Sequence, residues 1–76
     1  MWTEINQKLC KTMPFPDFSK ALAFVVQVGI LSEKMDHHPK IVLEYGSVQI
    51  ELCTHSAGNQ ITQKDKELAR QIDLIA

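Results

Sequence analysis

Apolar and polar positions along this chain repeat with two different periods, and the periods mark its elements. Near the C-terminus, "ITQKDKELARQIDLIA" places Leu68, Ile72 and Ile75 at i, i+4 and i+7. That is the stripe of an amphipathic helix. Thr62 with Asp65 three residues on resembles a capping box. A helix is expected over about 62–75, packing its Leu68/Ile72/Ile75 face on a core.

Earlier, Pro16-Asp17 reads as a stop followed by an N-cap. Phe18, Leu22, Val25, Val26 and Gly29 follow at helical period, and Phe24, Val28, Leu31 and Met35 form a second stripe beside them. A helix apolar on two sides is either sandwiched or packs on a partner subunit. It must stop near Asp36, because Pro39 pushes His38 out of the α region.

Between the helices the period drops to two. Val48, Ile50 and Leu52 alternate with Gln49, Glu51 and Cys53, as a strand with one buried face does. Gly46-Ser47 is the expected turn after a strand at 41–45. The N-terminal segment reads as two short strands, about 2–6 and 8–14, turning at Asn6-Gln7, with Leu9, Met13 and Phe15 on one parity. The order β-β-α-β-β-α implies an α+β two-layer fold: a four-stranded antiparallel sheet with both helices on one face. The 76 residues make a single domain.

Composition narrows the partners. A chain of 76 residues buries only about 60% of its unfolded surface, so oligomerisation would help it. Net charge is −1 and the eight Lys/Arg are scattered, which argues against nucleic-acid binding by charge. The longest apolar run, Ala21–Val26, is too short to span a bilayer, and no apolar leader follows Met1. A soluble, cytoplasmic protein is expected. Cys10 and Cys53 form no CxxC and read as thiols in a reducing compartment.

The candidate chemistry sits in "EKMDHHP", residues 33–39. One histidine past a helix C-terminus can be explained by the macrodipole; two are harder to explain that way. The strand-turn-strand pattern should return His55 to about the level of residues 38–40. Three histidines, Asp36 and Thr54 then converge at one edge of the sheet. Such a cluster could be a zinc site with an open position. Adjacent residues on extended backbone point opposite ways, which does not favour shared ligation. The competing chemistry is proton transfer near neutral pH, where imidazoles are poised.

With "DHHP", a tyrosine-containing turn, "THSAG" and "ITxxDxxLAxxID" in place, the chain resembles the pterin-4a-carbinolamine dehydratase family from about Asp17-Phe18 to Ile72-Asp73. Trp2 and "FPDF" at 15–18 resemble the family's N-terminal strands and helix opening. The resemblance implies loss of water from 4a-hydroxytetrahydrobiopterin to give quinonoid dihydropterin, which recycles pterin for aromatic amino-acid hydroxylation. It implies no metal and no cofactor. His37, His38 and His55 match the family's histidines as the catalytic set. His38 and His55 would exchange protons with the substrate hydroxyl and a ring nitrogen, and His37 would assist. Asp36, Pro39 and Thr54 would contact the substrate or shape its pocket. A homodimer or homotetramer, joined by sheet edges and helices, is expected. The alternative is a non-catalytic or differently specific pterin-binding or dimerisation module, either a transcription-factor partner or molybdopterin-related. Two features depart from the pattern: Ile41 stands where the family has Trp, and Gly58-Asn59-Gln60 replaces Gly-Gly with one residue extra. The chain also begins at the first strand, without the N-terminal helix some members carry.

Overall fold

A computed structural model describes all residues, Met1–Ala76. Its elements run β1 (Thr3–Ile5), β2 (Lys8–Pro14), α1 (Phe18–Lys34), β3 (Lys40–Glu44), β4 (Ser47–Leu52), a 3₁₀ turn (His55–Ala57) and α2 (Gln63–Ile75). The sheet is four-stranded and antiparallel, in the order β1-β2-β4-β3. With two helices packed on it, this is the expected α+β fold.

Alternation decides which side of the sheet is covered. Val48, Ile50 and Leu52 of central strand β4 are fully buried. They join Met13 of β2, Ala21, Phe24 and Val28 of α1, and Leu68, Ala69 and Ile72 of α2 in one core. The opposite parity carries Lys8, Cys10, Lys40 and Glu51, and Glu51 lies 3.7 Å from Lys8 and 4.0 Å from Lys40. These are exposed or half-buried charges of modest worth.

The turn between β1 and β2 falls at Asn6-Gln7, with φ of 50° and 65°. Two successive left-handed residues suit the twist of a two-residue hairpin. The second hairpin differs from expectation by one residue. Glu44 pairs with Ser47, so the turn is Tyr45-Gly46 and not Gly46-Ser47. Ser47 also pairs with Pro14 on the other side, and Phe15 N–H donates to Gly46 O at 2.9 Å. Held from both neighbours, β4 takes Ser47 into the ladder.

Helix α1 begins where Asp17 accepts the Lys20 N–H at 2.8 Å. Of its two apolar stripes, the core takes Phe24 and Val28, with Leu31 and Met35 at its margin. Ser32 also lies on this face, its hydroxyl donating to Val28 O at 2.7 Å. Of the other stripe, Phe18, Leu22 and Val26 stay exposed, as does Ile30 beside them, while Val25 packs at the core margin. On α2, Ile75 is exposed too, contrary to the expected Leu68/Ile72/Ile75 face; Ala69 and the carboxylate Asp65 are buried instead. The last turn of α2 is tied to the opposite end of the chain. Asp73 accepts from the Trp2 indole at 3.1 Å and from Lys11 at 2.8 Å. No helix is long and apolar enough to cross a membrane.

Candidate functional site

The end of α1 aims the first histidine inward. Asp36 adopts φ 51°, His37 N–H donates to Ser32 O at 3.0 Å, and Asp36 N–H donates to Glu33 O at 3.1 Å. That is a Schellman closure with Asp36 in the left-handed position usually held by glycine. It reverses the chain so that His37 turns into the molecule while His38 stays at the surface.

His37 meets a carboxylate from the other helix. Its Nε2 lies 2.5 Å from Asp65 Oδ1, and the Asp65 side chain is fully buried. The same carboxylate accepts the Thr54 hydroxyl at 2.7 Å and the Thr62 N–H at 2.8 Å. Burial alone would push the Asp65 carboxyl up. Hydrogen bonds from His37, the Thr62 N–H and Thr54 outweigh it and hold the group below the usual carboxylate range. Asp65 therefore ties together α1's end, β4's end and α2's start.

His38 and His55 are exposed and find nearer partners. His38 Nε2 lies 2.7 Å from Glu33 Oε1. His55 Nδ1 lies 2.7 Å from Asn59 Oδ1. Carboxylate and amide oxygens only accept, so each imidazole donates one N–H. The remaining nitrogens, Nδ1 of His37 and His38 and Nε2 of His55, are left for other chemistry.

Asp36, His37, His38, Thr54 and His55 line one open cleft of about 300 Å³, together with Cys53, Ser56 and Lys64. That volume is at the low end for small-molecule sites. Pro39, singled out from the sequence, does not line it. His38, Cys53 and His55 also border a smaller hollow on the open sheet face, beside Lys8, Lys40 and Glu51. Ile41 faces the core side of β3, where it packs against the buried cluster and not against the cleft. No three of the His, Cys, Asp and Glu side chains stand where they could hold one metal ion. Both cysteines are free, and burial, aided by Glu51, raises the Cys10 thiol.

The structure corrects how His55 arrives. It does not end the strand: β4 stops at Leu52 and His55 opens the 3₁₀ turn. With Glu44 paired to Ser47, the hairpin register extended outward would set residue 55 against 36, not 38–40. Thr54 N–H then donates to Gln60 O at 2.8 Å and closes the loop that carries the histidine. The buried partner Asp65 is the residue that sequence reading missed as part of the site. Its one sequence signal, the spacing from Thr62, reads as capping alone. Asp36 makes no side-chain hydrogen bond, and the carboxylate that orients His37 is Asp65.

A family model described as pterin 4 alpha carbinolamine dehydratase matches residues 1–75. Two proteins named "Putative pterin-4-alpha-carbinolamine dehydratase" are similar over most of the chain. The one from Roseiflexus sp. (strain RS-1) is 46% identical over 74 residues, 97% of this chain and 78% of that protein. The one from Sulfolobus acidocaldarius is 42% identical over 74 residues, 97% of this chain and 80% of that protein. Among solved structures, a transcriptional coactivator/pterin dehydratase from Brucella melitensis superposes with a TM-score of 0.91 at 35% identity, covering 99% of this chain and 81% of that one. A pterin dehydratase-like protein described as a RuBisCO assembly factor in the alpha-carboxysome shares the fold, with a TM-score of 0.83 at 24% identity over 99% of this chain and 88% of that one.

Proposed function

Because the chain belongs to the pterin-4-alpha-carbinolamine dehydratase family, we propose that it removes water from a 4a-hydroxytetrahydropterin, acting as a single dehydratase domain. The observation that carries this reading is the cleft where His37, His38 and His55 each have one ring nitrogen fixed by an oxygen partner. The reaction breaks the C4a–O bond. The leaving oxygen takes a proton and departs as water, while the adjacent ring nitrogen loses a proton and its electron pair forms the C=N bond. One donor and one acceptor suffice. His38, beside the Glu33 carboxylate, is the donor to the hydroxyl. His55, with an uncharged partner, accepts from the ring nitrogen through Nε2. His37, locked to Asp65, supplies a hydrogen bond to the bound pterin. Asp36 contacts the substrate at the cleft edge, Thr54 forms part of the wall, and Pro39, outside the lining, leads the chain from the histidine doublet into β3. The quinonoid product would return to a cytoplasmic pterin pool serving aromatic amino-acid hydroxylation. The test is the rate of disappearance of 4a-hydroxytetrahydrobiopterin followed by ultraviolet absorbance. Acceleration above the spontaneous rate supports the reading, and its absence overturns it.

A second reading, a non-catalytic binding module, is favoured by one observation. Phe18, Leu22, Val26 and Ile30 expose an apolar stripe along α1, and the similar Brucella melitensis protein is described as a transcriptional coactivator as well as a dehydratase. We assign that stripe first to self-association, because a second copy presents the same surface. Val26 is 53% exposed in the protomer, so Val26→Glu is tolerated by the fold. The expected outcome by sedimentation velocity is an oligomeric wild type and a Val26→Glu variant that dissociates, with unchanged circular dichroism. A wild type monomeric at micromolar concentration would sink this assignment and leave the stripe for a foreign partner.

A further inference from the structure

We propose that Asn59 is a positioning residue for His55: its amide oxygen holds the imidazole in the Nδ1–H tautomer and so presents Nε2 as a proton acceptor. His55 Nδ1 lies 2.7 Å from Asn59 Oδ1, and His55 makes no other side-chain hydrogen bond. An amide oxygen can only accept, so the contact selects the tautomer.

The backbone sharpens the inference. Gly58 and Asn59 are both left-handed, with φ of 75° and 59°, inside the loop closed by the Thr54–Gln60 bridge. Glycine would serve at position 59 with less strain. An asparagine there adds what glycine lacks, a side-chain acceptor one turn beyond His55. The three histidines also differ in their partners. His37 and His38 face carboxylates, whereas His55 faces a neutral amide. That contact orients the ring without adding a charge of its own; the charged and titratable groups that share its cleft and the adjoining hollow are Asp36, His37, His38, Lys64, Lys8, Lys40 and Glu51. Partners of this kind fix ring orientation, and their loss typically costs 10–100-fold in function at metal-bound histidines. For a partly exposed contact the lower end applies.

The kinetic arm rests on the dehydratase reading; the tautomer arm does not. Asn59→Gly keeps the left-handed backbone and deletes the acceptor. Its thermal melt should match the wild type, its kcat/KM should fall about tenfold, and ¹⁵N imidazole shifts should show the Nδ1–H preference of His55 lost. Asn59→Asp keeps the acceptor and adds charge. It should retain the tautomer and move the acidic limb of the kcat/KM–pH profile to higher pH, because a neighbouring carboxylate favours the protonated imidazole. An unchanged tautomer or an unchanged kcat/KM in Asn59→Gly would overturn the proposal, as would an unmoved pH profile in Asn59→Asp. If the wild type does not accelerate the reaction, the dehydratase reading fails, and the ¹⁵N shifts of Asn59→Gly alone decide whether Asn59 sets the tautomer.

Discussion

Replacing Asp65 by alanine is expected to destabilise the protein by about 3–5 kcal/mol, the cost of removing one partner from a buried pair. The carboxylate is fully buried and accepts from His37, Thr54 and the Thr62 N–H. Alanine takes this acceptor from all three donors, and each donor left orphaned carries a desolvation penalty of about 1–3 kcal/mol. These costs overlap, because Thr54 can still turn to Thr62, 2.7 Å away. A domain of this size has a total stability of only about 4–11 kcal/mol. At roughly 4–8 °C per kcal/mol, the melting temperature should fall by about 12 °C or more. A melt within about 2 °C of wild type would show that the three bonds carry no stability.

The pH dependence follows from the direction of the Asp65 shift. Its carboxyl is held below the ordinary range, so the ionised form favours the fold. That contribution is fully present above the unfolded value of about 3.9. It drains away as pH falls through the depressed folded value. Urea midpoints should therefore stay level from pH 7 to about 5 and drop below about 4. Asp17, Glu67 and Asp73 are lowered as well and add to the wild-type drop. Asp65→Asn, which cannot ionise, isolates this residue's share as the difference between the two curves.

The double role of Asp65 also shows where sequence reasoning stops. Thr62 and Asp65 announce α2, and the alternation at 48–52 announces β4, because both signals are local and each is written in adjacent residues. The meeting of His37 with Asp65 joins residues 28 apart through tertiary packing, and no spacing encodes it. The two stripes of α1 are equally apolar, so periodicity identifies the helix without saying which side the sheet will cover. Ser32 is buried there because its hydroxyl returns to Val28 O, a bond invisible to a hydropathy pattern. The second turn is misplaced by one residue because Gly46 is a strong turn signal, while the pull of Pro14 on Ser47 comes from a strand more than thirty residues earlier. The convergence of His55 on the doublet is legible from hairpin geometry. The 3₁₀ turn that delivers it is not, because it depends on the Thr54–Gln60 bridge and on Asn59 accepting a left-handed backbone.

His55→Ala and His38→Ala should each lower turnover by about 10²–10⁴-fold, the usual contribution of a positioned acid or base. Both side chains are at the surface, with His38 59% exposed, so their removal leaves the core intact. Thermal melts should stay within about 4 °C of wild type, since surface changes away from packed features stay within about 0.5 kcal/mol. That separation is what makes these two variants informative. His37→Ala would mix a lost contact in the cleft with the unpaired Asp65 carboxylate beneath it, so its kinetics alone cannot assign a role. The two exposed histidines also leave different signatures. Loss of the acceptor His55 should remove the acidic limb of the kcat/KM–pH profile, while loss of the donor His38 should remove the basic limb, because each limb reports one essential protonation state. In the double variant the costs should combine to less than their product, since the two groups act on one substrate in one step. Wild-type turnover in either single variant would remove that residue from proton transfer. Equal loss of both limbs in both variants would mean that the pair titrates as one coupled unit, with no separate acid and base.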